Sequence, residues 1–505
     1  MKQYEMFELK LEGEEPEGSK VQIDLIAEFE KDGHITRVKG FYAGNGRYAV
    51  RFYPEEPGTY HYRVDGIVKA SGTLECEPAD QGRHGIVRAA GTHFKYADGT
   101  WHYPFGTTVY ALLHQEKQLI DQTMAALQKE AFNKVRICVF PKHYQYNEND
   151  PEYYAFEKKN GAWDVNSPDY RFWDAMEERI HQLDEMGIQC DLILFHPYDK
   201  WGFAALPKDQ AMVYLDYICR RLSAFPNIWW SLANEYDLMA YQKEDWEDFA
   251  HFLHENDPYG HLLSNHHMVK PWDFSNPDTT HICVQIKNVD GIKTDIARFD
   301  KPMMVDECRY EGNIPMEWGN ISGFEMVNRF WKVCAQGGYC THGETFLNKE
   351  GILWWSKGGT LVGESPKRIG FLRDILESLP GPLEYGRKVM TLEEVRELKK
   401  NPPADFADSP LFQSMMNLSD EVILALSSGE GEFTGRCGDE AFLKYYERQC
   451  TCQGALDLPE NLKYDVEVID VWEMTKKKVL ENVSGHTEIE LPGKEGMAVL
   501  ARKVG

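Results

Sequence analysis

Hydrophobic residues make up 42% and charged residues 27% of the 505-residue chain, an ordinary globular balance with length for two or three cores. Acidic residues outnumber basic ones 81 to 55, and the formal charge of −26 repels phosphate backbones, which argues against nucleic acid as a partner. The opening MKQYEMFELKLEGEEPEG has no basic start leading into an apolar core, no run approaches the ~20 apolar residues that a bilayer crossing needs, and the 11 cysteines are scattered without a pairing frame. These features predict a cytoplasmic protein with reduced thiols and no membrane partner.

Residues 1–85 alternate with period two at 21–27, 47–53 and 59–64, between the turn signals Asp32-Gly33, Gly44-Asn45-Gly46 and Glu56-Pro57-Gly58. That pattern predicts an antiparallel Ig-like β-sandwich. From residue 86 strands and helices take turns. Strands are predicted at 105–110, 135–140, 190–196, 228–234, 262–266, 281–285, 303–307 and 339–344, with helices at 172–186, 210–225 and 324–336. Eight strands with intervening helices over 86–380 predict an α/β fold, a (β/α)8 TIM barrel. After Leu379-Pro380-Gly381-Pro382 alternation returns at 422–426, 464–472 and 498–502, which predicts a C-terminal β-sandwich domain over 381–505.

The chemistry gathers at predicted strand ends. The fourth strand runs Trp229-Trp230-Ser231-Leu232-Ala233 straight into Asn234-Glu235. A carboxyl at the C-terminal end of a barrel strand is placed for catalysis, and the alternative is that Asn234 and Glu235 cap the next helix. The seventh strand ends on Asp306-Glu307. Period-two alternation sends those two side chains to opposite faces, so only one should reach the mouth. Two carboxyls flanking a sugar are the equipment of glycoside hydrolysis. Arg136, a cation inside an apolar strand, needs a carboxylate, and Glu307 is the expected partner. His196, Asn265, His266, His342 and Glu344 close the third, fifth and eighth strands and are expected to bind sugar hydroxyls. Trp201 and Trp272, in the following loops, are expected to stack on a sugar face or else to pack. Loop 141–170, with Tyr144, Tyr146, Tyr153 and Tyr154, either walls the pocket for exo cleavage or serves as a homo-oligomer contact.

Together, Asn234-Glu235 after an apolar strand, Phe132-Asn-Lys-Val-Arg136, a His ending strand three and a Glu ending strand seven resemble the clan A retaining (β/α)8 glycoside hydrolases. His93-Phe-Lys-Tyr-Ala-Asp-Gly, Phe105-Gly-Thr-Thr-Val-Tyr and Asp306-Glu-Cys-Arg-Tyr-Glu-Gly narrow this, because they resemble the apiosidase-like glycosidases, which often carry an Ig-like module in front and a β-domain behind. The resemblance implies Glu235 as acid/base, Glu307 as nucleophile, Asn234 on the sugar 2-hydroxyl and Arg136 as support for Glu307. It also implies a strand-six Tyr bonded to the nucleophile. Here that place holds Gln285, so either Gln285 substitutes, or Tyr310 reaches in from strand seven, or the sixth strand lies elsewhere in the sequence. The resulting expectation is a retaining, exo-acting glycosidase for short oligosaccharides or plant glycosides, with no cofactor and no metal. The alternatives are a non-catalytic carbohydrate-binding barrel and a metal-dependent barrel hydrolase using His196, His266, His267, His281 and His342. Against the latter, the sequence has no HExxH and no His-x-His on the first strand.

Overall fold

The computed structural model describes residues 1–387, 390–403, 409–427 and 433–505. At its centre lie eight parallel strands: β1 (Phe105–Thr108), β2 (Lys134–Cys138), β3 (Gln189–Phe195), β4 (Ile228–Ala233), β5 (Leu263–Ser264), β6 (Ile282–Gln285), β7 (Met303–Glu307) and β8 (Tyr339–His342). Their order in the sheet is β5-β4-β3-β2-β1-β8-β7-β6, a ring cut between β5 and β6. Hydrogen bonds bridge the cut. The Thr280 N–H donates to the Leu263 carbonyl at 2.8 Å, and the Ser264 hydroxyl donates to the His281 carbonyl at 2.7 Å. The sheet is therefore a (β/α)8 barrel. Its strands lack alternation because both faces are covered: every residue of β3 and β4 is buried.

Helices Tyr170–Glu185, Lys208–Leu222 and Gly323–Ala335 lie where the helical periodicity falls. Asp169 caps the first by accepting from the Arg171 N–H, and Gly187 ends it at φ 71°. A small antiparallel sheet (Val87–Ala90, His93–Tyr96, Trp101–His102) closes the N-terminal end of the barrel. Phe94 packs there against Trp229, Tyr339 and His281, with ring centroids 5.2, 5.5 and 5.9 Å away. Substrate access is thus left to the opposite end, where the strands deliver their C-termini.

The N-terminal residues form a four-stranded and a three-stranded antiparallel sheet. They dock on the barrel through buried charge. Arg51 donates to Glu177 at 2.7 Å, and Arg221 donates to the same carboxylate at 2.5 Å. Two guanidiniums outweigh the burial of Glu177 and hold it down at about 2. At the C-terminus a six-stranded antiparallel sheet carries Phe433–Cys437, Ala441–Tyr445, Met497–Lys503, Tyr464–Asp470 and Thr475–Val483, with Glu384–Tyr385 at its edge.

The strand predicted at 422–426 is instead part of a helix, Asp420–Ser427. The alternation expected at 422–426 is not there, because Val-Ile-Leu-Ala-Leu is apolar throughout, and a short apolar run fits either state. Asp420 and Glu421 in the first turn, and the Ser419 hydroxyl accepting from the Val422 N–H, decide it locally. Among the described residues no helix is long and apolar enough to cross a membrane.

Candidate active site

Glu235 stands just past β4, before a short 3-10 helix at Tyr236–Leu238. It occupies the N-cap position, yet its side chain makes no capping bond. The carboxylate turns instead to Tyr198 and accepts from its hydroxyl. Its backbone sits at φ 57°, a left-handed conformation that costs a non-glycine residue about 1–3 kcal/mol and is typical of functional sites. The Glu235 N–H donates to His266 Nδ1 at 3.3 Å. Burial first, and then the negative charge of Glu307, push the Glu235 carboxyl up to about 7.

Glu307 comes from across the barrel. Pairing of β6 with β7 runs Val284 to Val305 and then Gln285 to Glu307, so Asp306 is an extra residue. This irregularity removes the strict alternation expected of the pair. Asp306 points into the barrel, where it accepts from Lys134 at 2.7 Å and Thr341 at 2.7 Å. Glu307 faces the same interior one level higher. Sending the two to opposite faces was therefore wrong, and the bulge is the reason.

Arg136 is fully buried, as predicted, but its closest carboxylate is Asp191 at 3.4 Å. Asp306 follows at 3.8 Å and Glu307 at 3.9 Å. Lys134 completes this interior cluster at 2.6 Å from Asp191. Burial raises Asp306, but Lys134 and Arg136 outweigh it and hold the carboxylate well below its usual range. Arg136 thus supports Glu307 from within a network and is not its dedicated partner.

The tyrosine bonded to Glu307 is Tyr110, just past β1, a residue that sequence reasoning missed. Its hydroxyl donates to Glu307 Oε1 and lies 2.9 Å from Asn234 Oδ1. A phenol has one proton, and a carboxylate is the stronger acceptor. Asn234 serves that oxygen best by turning its NH2 group towards it. Tyr310 is adjacent, its hydroxyl 3.4 Å from that of Tyr110 and also within hydrogen-bonding reach of the Glu307 carboxylate. Gln285 lies on the Glu235 side, where its amide helps to lower that carboxyl. The one available signal was position: Tyr110 closes a motif at a barrel strand end.

Tyr198 and Lys142 were also missed. The Lys142 ammonium lies 3.6 Å from the centroid of the Tyr110 ring and 4.4 Å from that of Tyr198. Around them stand Tyr144, Trp318 and Trp355, from the loops after β2, β7 and β8. Ring centroids are 5.0 Å apart for Tyr144 and Tyr198, 6.0 Å for Tyr144 and Trp355, and 5.0 Å for Trp318 and Trp355.

His266 bridges the pair. Its Nδ1 accepts from Glu235, and its Nε2 lies 3.8 Å from Glu307. Burial keeps it neutral. Asn265 is buried with neither amide atom bonded to a described residue. His196 is a strut: neutral, with burial lowering it to about 3, it donates from Nε2 to the Phe140 carbonyl at 3.1 Å and ties β3 to β2.

Other predicted binding residues lie elsewhere. His342 bonds to the Thr107 hydroxyl at 3.1 Å and stacks on Phe132. Glu344 accepts from the Val362 and Gly363 N–H groups at 2.7 and 2.9 Å. Glu311 accepts from the Glu364 and Ser365 N–H groups. Ligand atoms of Glu311, His342 and Glu344 lie within 4.8 Å of one another. Both carboxylates are already occupied by backbone donors, so they brace the 362–365 turn and do not line the mouth. Trp272 is buried against Tyr236, with no face to offer. Trp201 packs on Tyr154 and His143 and donates to Asp150 at 3.0 Å.

Known proteins share this architecture. Residues 88–378 match the model for the apiosidase-like catalytic domain. The chain belongs to the apiosidase-like family. Residues 1–66 and 431–502 match two domains of unknown function. A presumed glycoside hydrolase from Bacteroides vulgatus ATCC 8482 is 32% identical, over 100% of this chain and 99% of that one, with a TM-score of 0.86. A glycoside hydrolase of family 5 from the same organism is 14% identical, over 83% and 92% of the two chains, with a TM-score of 0.61, a likeness of fold. No curated protein matches. The apiosidase-like chain is a glycosidase, and its substrate is a carbohydrate.

Proposed function

We propose that the enzyme is a retaining, exo-acting glycosidase. The observation that carries this reading is one mouth holding two carboxyls from β4 and β7, each gripped by a different tyrosine, with Glu235 raised to about 7. Glu307 attacks the anomeric carbon as the bond to the leaving oxygen breaks, and Glu235 gives its proton to that oxygen. Water then attacks the glycosyl ester, Glu235 takes the water's proton, and Glu307 leaves as carboxylate. A retaining pair stands roughly 5–5.5 Å apart, near enough for the charge of one to act on the other, as that of Glu307 does on Glu235.

Asn234, hydrogen-bonded to Tyr110 beside both carboxyls, is placed for the sugar 2-hydroxyl. Tyr144, Trp318 and Trp355 supply the sugar-facing rings, in place of Trp201 and Trp272, and wall the mouth towards a single terminal sugar. Short oligosaccharides and plant glycosides, handled in the cytoplasm, are the substrates. Residues 1–85 and 381–505 act as accessory modules.

The test is a panel of aryl α- and β-glycosides, furanosides and an apioside included, with wild type, Glu235→Gln and Glu307→Gln. Each variant is expected to lose most turnover, and azide to rescue Glu235→Gln with retention and Glu307→Gln with inversion. Turnover that survives both substitutions, or an inverted first product from wild type, refutes the proposal.

A further inference from the structure

Lys142 sits just past β2, only 5% exposed. Its ammonium donates no hydrogen bond to any described residue, and burial lowers its pKa from the ordinary lysine value. A desolvated ammonium without an acceptor is costly. Three ring faces offset that cost: Tyr110 at 3.6 Å, Tyr198 at 4.4 Å and Trp355 at 5.4 Å. Each ring attracts the cation through the negative potential of its face. The backbone of the lysine is pinned as well. Asn147 donates to its carbonyl, and the next N–H, of His143, donates to the Tyr198 carbonyl at 2.8 Å.

The two tyrosines on the lysine are the two that hold the carboxyls. The Tyr110 hydroxyl donates to Glu307 and the Tyr198 hydroxyl to Glu235. One cation therefore sets two rings, and each ring sets one carboxyl. We infer that Lys142 is a positioning residue, which clamps Tyr110 and Tyr198 and so fixes Glu307 and Glu235 relative to each other. This rests on the reading of Glu235 and Glu307 as the reacting pair. It also assigns the lysine an electrostatic effect. Glu235 is faced by Glu307, Tyr198, Lys142, Gln285 and Tyr144, with His266 at its backbone. Lys142 is the cation in that set, and it favours the ionised carboxylate.

The full-length enzyme with Lys142→Met or Lys142→Arg tests this by kcat, KM and the pH profile on a glycoside with a poor leaving group. In Lys142→Met, kcat is expected to fall at least about tenfold with KM nearly unchanged, as misplacement of reacting groups produces. The alkaline limb is expected to move up by about half a pH unit or more, because a cation that stabilised ionised Glu235 is gone. Lys142→Arg keeps the charge, so its limb stays while kcat falls part of the way, and it carries the test if the Met variant does not fold. Adding Tyr198→Phe to Lys142→Met is expected to cost less than the two single losses combined. A raised KM with an unmoved limb and wild-type kcat overturns the clamp and makes Lys142 a plain substrate contact. A limb that moves equally in the Arg variant overturns it too. Glu235→Gln and Glu307→Gln in the same assay separate the two failures: if they stay active, the underlying pair is wrong.

Discussion

Glu235→Gln is expected to stabilise the protein, and only above a definite pH. The carboxyl is held at about 7, above its ordinary 4.5, mainly by burial and then by Glu307. A raised carboxyl binds its proton more tightly when folded than when unfolded. Stability therefore falls as pH rises through the window from the unfolded value to the folded one. At about 1.4 kcal/mol per pH unit, the whole window costs the wild type about 3 kcal/mol by pH 8. Gln carries no proton to lose and is nearly the same shape. It can still accept from Tyr198, and it inherits the same left-handed backbone. The expected result is a variant with wild-type stability near pH 4.5 and a higher unfolding midpoint at pH 8, by roughly 3–10 °C for a domain of this size. Calorimetry at the two pH values, on the transition that contains the barrel, reads it directly. Equal midpoints at pH 8, or an equal gain at both pH values, would refute the claim that an ionised, desolvated Glu235 is what strains the site.

Two further outcomes follow from the same geometry. With a poor leaving group, kcat/KM is expected to fall about tenfold between pH 6 and pH 8, as Glu235 loses the proton it must donate, and a flat profile there would assign the acid elsewhere. Tyr110→Phe keeps the ring on Lys142 but removes the donor to Glu307, a charge-assisted bond worth about 1.5–3 kcal/mol. Its kcat/KM is expected to drop about 10–150-fold, with a loss below threefold showing that the hydroxyl is incidental.

Much of the architecture is legible locally. Alternation marks N-terminal strands such as Leu25–Lys31 because one face is nearer to solvent. Continuous apolar runs mark the barrel strands because both faces are covered. Glu235 and Glu307 stand out locally because each ends an apolar strand on a carboxylate, a group that is costly to bury without a use. What the sequence by itself determined, then, are the local features: strand, helix and the residue at each strand end.

The tertiary structure decided how those ends meet. Tyr110, Lys142 and Tyr198 stand on three different strand ends, far apart in sequence from Glu235 and Glu307, and no periodicity links them. Whether Asp306 and Glu307 share a face depended on a bulge set by pairing with β6. His342 and Glu344 have the residue types of a sugar site, yet the turn at 362–365 claims the carboxylate and Thr107 the imidazole. Hydrogen-bond partners in a closed barrel are fixed by ring closure and loop packing, which are long-range, while sequence patterns report only the environment of each element in turn.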